Sequence, residues 1–143
     1  MGPVRQCAVL ERGGRRCFAC RVALRRPRTD GGRDTATATI DHWNGDGYDH
    51  APDNLVPACR LCNQLRPYPD AYEARLAARG RTVAQAEQEA RRQLAIPLDL
   101  EAGRRLARRW YEGRLARCAE ARLRYKARRL AGVDAGQVTG VPF

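Results

Sequence analysis

The chain has 143 residues, 43% of them apolar, and a formal net charge of +11. That length suits about one domain with a modest core, and no apolar run approaches the roughly 18 residues of a transmembrane helix, so no membrane association is expected. The segment Met1–Cys7 lacks the apolar core of a signal peptide, so a cytoplasmic protein is expected.

Residues 1–35 read as mostly irregular, with Gly13-Gly14, Pro27 and Gly31-Gly32 as breakers. Thr35-Ala36-Thr37-Ala38-Thr39-Ile40 alternates and is β-prone, which predicts a strand ending at Asp41-His42. Trp43 to Pro52 reads as a loop because Asn44-Gly45 and Asp46-Gly47 are turn dipeptides. Leu55-Val56-Pro57 predicts a second short strand, and a short helix is expected from within Cys59–Cys62 to about Arg66, where Pro67 ends it.

The remainder reads as helical. Asp70 is the expected cap of a helix to Arg79, with Gly80 as its stop. Thr82 and Gln85 form a capping box for a helix to about Ala95, with Val83, Ala86, Ala90 and Leu94 on one face. Asp99 caps a longer helix, or helix pair, to about Ala131, with Gly132 as its end, Leu106 and Trp110 in its buried stripe and a break at Gly113. The tail after Gly132 reads as loose. The expected class is therefore α+β, with a core over residues 1–68 and a basic helical extension over 69–143.

Of the 27 basic residues 26 are arginines, and only Lys126 is a lysine. Codon bias in a GC-rich genome favours Arg over Lys, but it does not account for the excess of positive charge. That excess suits a polyanion, most simply nucleic acid, which guanidinium groups grip bidentately. Residues 99–131 hold 11 basic and four acidic side chains, so the C-terminal arm is the more basic part. Arg60, Arg66, Arg104, Arg105, Arg108 and Arg109 are candidate phosphate contacts, although any single one is ordinarily a solvated side chain.

Two Cys-x-x-Cys pairs, Cys17/Cys20 and Cys59/Cys62, can supply the four thiolates of a closed tetrahedral zinc site. Disulfides or redox pairs are the alternative, but two such pairs in a small intracellular basic chain favour zinc. The 38 residues between the pairs must then be a structured insertion whose ends the metal pins together. Cys7 and Cys118 have no such partner and read as ordinary thiols.

Asp41-His42 followed by Asn54-Leu55-Val56-Pro57-Ala58-Cys59-Arg60-Leu61-Cys62-Asn63 resembles the HNH endonucleases in an H-N-N form. The resemblance covers about residues 17–66. It implies a zinc-stapled ββα-metal core, DNA (double-stranded in the first instance) as substrate, catalytic Mg²⁺ or Mn²⁺, and a prokaryotic or phage-infected cell. It also implies that His42 acts as general base, that Asn54 holds the loop and orients His42, and that Asp41 ligates the catalytic ion. Chemistry supports part of this. His42 is the one neutral base in the motif, and Asn63 offers an amide oxygen as a second ligand for a hard cation. Read alone, Asp41 is a strand-end turn residue and His42 a satisfied, partly buried histidine. His50 lies among Asp46, Asp49 and Asp53 and reads as a surface loop residue, with assistance to a leaving group as its alternative. The rival functions are a non-catalytic zinc-dependent DNA-binding protein and a branched-DNA nuclease of the endonuclease VII type.

Overall fold

The computed structural model describes residues 1–26 and 34–130. The expected breakers Pro27 and Gly31-Gly32, the helix end at Gly132 and the C-terminal tail lie outside the described residues. The chain is α+β. Helix α1 (Pro3–Arg12) precedes strand β1 (Ala38–His42) and a 3-10 turn at Pro52–Asn54. Strand β2 (Leu55–Cys59) then leads into α2 (Arg60–Leu65), α3 (Pro69–Ala77), α4 (Val83–Leu94) and α5 (Leu100–Leu130). The strands pair antiparallel, with Asp41 opposite Val56 and His42 opposite Leu55. Every residue of β2 is buried, whereas β1 is half-covered. Hence β2 reads as a continuous apolar run and β1 alternates with polar residues. Among the described residues, no helix is long and apolar enough to cross a membrane.

Helix α1 departs from the irregular N-terminal region that the sequence predicts. Pro3 opens the helix with a preset φ and no N–H to satisfy. Ten residues are too few for periodicity to speak, and tertiary packing decides. Cys7, Ala8, Val9 and Leu10 are buried. Gly103 of α5 makes the close approach possible: a Cβ there would stand 2.5 Å from the Val4 carbonyl. Arg12, at the end of α1, donates to the carbonyls of Pro52, Leu55 and Ile96 and so straps the start of β2 to the end of α4.

The expected capping box of α4 is present in both directions, Gln85 N–H to Thr82 Oγ1 and Thr82 N–H to Gln85 Oε1. Asp99 caps α5 by accepting from the Glu101 and Ala102 amides. Asp70 does not cap α3. Tyr68 is the N-cap and Pro69 the first helical residue, which leaves Asp70 in the first turn, where its charge suits the helix dipole. No break occurs at Gly113; α5 runs through it.

Two compact units are present, Met1–Ala107 and Arg108–Phe143. The first extends past residue 68, because Tyr72, Leu76, Ala86 and Ala90 of α3 and α4 share one core cluster with Phe18, Val56, Ala58 and the four paired cysteines. Leu106 is buried in this unit. In the second unit, the helix carries exposed Tyr111, Leu115, Leu123 and Tyr125 among its arginines.

Candidate functional site

The cysteine pairs converge. The sulfurs of Cys17, Cys20, Cys59 and Cys62 all lie within 4.8 Å of one another, are free of disulfides and are buried. Among the described residues this is the one group of three or more Cys, His, Asp or Glu side chains gathered closely enough to hold a metal ion such as zinc. A tetrahedron with arms of about 2.3 Å has edges of about 3.8 Å. Cys20 Sγ and Cys59 Sγ are 3.8 Å apart.

Each knuckle is shaped locally. The first turns on Arg21, whose φ of 60° is in the left-handed region, and closes with Arg21 N–H to the Cys17 carbonyl and Cys17 N–H to the Val22 carbonyl. In the second, Cys59 ends β2 and caps α2, its sulfur accepting from the Cys62 amide at 3.4 Å. The Phe18 amide donates to the Pro57 carbonyl at 2.9 Å and ties the knuckles together.

Hydrogen bonds among the sulfurs set their protonation. Cys17 holds Cys20 well below the ordinary thiol range and lowers Cys59 to about 7. Cys17 and Cys62 are pushed up, chiefly by Cys20 and Cys17 respectively. Four thiolates this close repel one another unless a cation sits between them. The surroundings respond to that negative charge. Burial and then Cys62 raise the Tyr72 phenol. Burial pulls the Arg75 guanidinium down, but the charge of Cys20 and a hydrogen bond to Cys62 outweigh it and leave its pKa raised. Glu89 of α4 reaches Arg21 at 2.6 Å and so braces the first knuckle.

The Asp41-His42 end of β1 forms a second polar centre. Consecutive strand residues face opposite sides. Asp41 is 8% exposed and its Oδ2 accepts from Arg66 Nη1 at 2.8 Å. Burial raises its carboxyl pKa, with Arg66 acting against that rise. Arg66 also donates to the carbonyls of His42 and Trp43 and lies 4.7 Å over the Trp43 ring. Trp43 in turn meets Phe18 of the first knuckle edge-on. Arg66, expected as a phosphate contact, is therefore turned inward to pin the end of β1, because a carboxylate and two carbonyls converge within its reach.

His42 faces the loop. Its Nε2 lies 2.9 Å from Nδ1 of His50. His50, expected at the surface, is half-buried. Asn54 does not touch the His42 ring by any hydrogen bond; it organises the loop instead. Its Oδ1 accepts from the Asn44 amide, and its Nδ2 donates to Asn44 Oδ1 and to the Asp49 carbonyl. Two of the loop acids are spent on turns. Asp46 accepts from the Tyr48 amide, and Asp49 accepts from the Ala51 amide and the Asn44 side chain. Asn63 lies in α2 rather than at its start, and its amide donates to Thr39 Oγ1 at 3.2 Å, beside Asp41 along β1. The pairing of His50 with His42 has no signal in the sequence beyond two histidines flanking a turn-rich loop.

Of the arginines expected to bind DNA, Arg60 begins α2 and is half-buried. Arg104, Arg108 and Arg109 are exposed. Arg105 is exposed and paired with Glu101 and Asp99. No protein-family model, curated protein or solved structure matches this chain.

Proposed function

We propose that the chain is a zinc-stapled, metal-dependent endonuclease of the HNH type that hydrolyses DNA phosphodiester bonds. One observation carries this: an antiparallel strand pair runs straight into a short helix through a cysteine knuckle, with Asp41 and His42 at the end of β1 and Asn63 of that helix hydrogen-bonded to Thr39, two residues before Asp41. The zinc would hold both knuckles and leave the hairpin end free for chemistry.

The donor chemistry of Asp41 and Asn63, a carboxylate and an amide oxygen, fits a hard divalent ion such as Mg²⁺ or Mn²⁺. Arg66 already bonds one Asp41 oxygen, so an incoming cation competes with it. Such an ion, when bound, supplies charge neutralisation on the phosphate and the leaving oxygen. The chain supplies the rest. His42 takes a proton from water, the resulting hydroxide attacks phosphorus, and a deoxyribose oxygen leaves. Asn54 keeps the loop over His42 in one shape. The exposed arginines hold the backbone phosphates.

The Asp41–Arg66 ion pair is the observation that favours the rival, a zinc-dependent DNA-binding protein without catalysis, because it satisfies the carboxylate without any ion. One assay separates the two. Zinc-loaded protein is incubated with supercoiled plasmid and Mg²⁺ or Mn²⁺, with His42→Ala beside it. Cleavage that falls about 10²–10⁴-fold in the variant supports the nuclease. Binding without cleavage, or equal cleavage by both proteins, overturns it.

A further inference from the structure

We infer that His50 is the positioning residue of His42: it accepts the Nε2–H of His42 on its own Nδ1 and thereby leaves His42 Nδ1 as the free base. This rests on the nuclease reading for the role of His42, but its geometry stands by itself. The two ring nitrogens are 2.9 Å apart and the rings are tilted by 40°, with centroids 5.1 Å apart. One nitrogen must donate and the other accept. A base needs a lone pair free to take a proton, and His42 Nε2 is already engaged. The proton therefore belongs on His42 Nε2, and the acceptor is His50 Nδ1.

The loop is built to hold His50 there. Asn54 grips the Asp49 carbonyl at 2.9 Å and the Asn44 amide at 2.8 Å. The Trp43 amide donates to the Asn54 carbonyl, which closes the loop at its base. From outside, Arg5 of α1 donates to the His50 carbonyl at 3.0 Å. The orienting role expected of Asn54 is thus divided. Asn54 shapes the loop, and His50 delivers the contact to the imidazole. When His42 takes a proton from water it becomes a cation, and the same bond becomes charge-assisted and stronger.

The test uses the full-length, zinc-loaded chain with His50→Ala and His50→Asn. The amide oxygen of asparagine stands close to where Nδ1 stands in histidine, so it restores the acceptor. His50→Ala should lower kcat about 10- to 100-fold with little change in KM, the usual range for loss of a hydrogen bond to a charged group. His50→Asn should recover most of that loss. Independently of activity, imidazole ¹⁵N spectra report which nitrogen of His42 carries the proton. The assignment is simple because the chain has two histidines. The expected result is a bare Nδ1 on His42 in the wild type and in His50→Asn, and mixed tautomers in His50→Ala. A protonated Nδ1 on His42 in the wild type, or His50→Asn no better than His50→Ala, would overturn the inference. A wild type that cuts no DNA would refute the nuclease, while the spectra would still decide the tautomer.

Discussion

Removing the metal from the cysteine cluster should unfold the first unit rather than merely loosen it. The four sulfurs lie inside the main core cluster, packed with Phe18, Val56, Ala58, Tyr72, Leu76, Ala86 and Ala90, and not on a surface flap. Two of them, Cys20 and Cys59, come from positions 39 residues apart, so a bound metal would close a long loop. A unit of this size has a net stability of roughly 5–15 kcal/mol. Structural zinc in small sites contributes an apparent 10–16 kcal/mol or so at neutral pH. The metal term is therefore of the same size as the whole margin. The metal-free state is worse than neutral, because the sulfurs must then share protons at close range in a buried site. The assay has two parts. Elemental analysis of protein purified without chelator should give one zinc per chain. Circular dichroism melts should show a cooperative transition that a strong chelator, or Cys20→Ala, abolishes or moves down by tens of degrees. A chelated protein that melts where the untreated one does, or a preparation with no zinc, would refute the reasoning.

Glu89 gives a prediction with a sign in pH. Hydrogen bonding from Arg92, together with Gln93 and the charge of Arg21, outweighs burial and holds its carboxyl at about 2, below the ordinary 4.5. A depressed carboxyl contributes stability above its unfolded pKa and loses it as pH falls towards its folded one. The full shift corresponds to about 3 kcal/mol, but the Arg92 partner is 56% exposed, so screening leaves roughly 1–2 kcal/mol. Glu89→Gln should cost that amount at pH 7 and remove the matching loss between about pH 4.5 and 2; denaturant melts across that range check both, and a variant with an unchanged pH slope would count against it. For the basic helix, replacing Arg108, Arg109, Arg114 and Arg117 by glutamine in the full chain should flatten the plot of log K against log salt by about 0.9 for each phosphate that is no longer neutralised. An unchanged slope would mean that those arginines are solvated and that DNA, if bound, is held elsewhere.

The sequence by itself determined the features whose signals are local. Two residues between cysteines fix the reach of a knuckle, so the spacing within Cys17/Cys20 and within Cys59/Cys62 marks two metal-binding half-sites, while the fold brings the two together across 38 intervening residues. The capping box of Thr82 and Gln85 and the cap at Asp99 are complete within three residues and need no context. The tertiary structure decided whatever depended on a partner distant in sequence. Helix α1 exists because β2 and α5 cover it, and its ten residues carry too weak a pattern to declare themselves. Arg66 reads as a solvated phosphate contact because nothing near it in sequence shows that Asp41, 25 residues earlier, is buried within its reach. His50 reads as a surface residue for the same reason: its place beside His42 depends on how Asn54 folds the intervening loop, a set of hydrogen bonds that exists only once β1 and β2 have paired. Spacing reports geometry only over the few residues in which the backbone has few choices. Beyond that, the position of a side chain is set by which surfaces the whole chain can bury together.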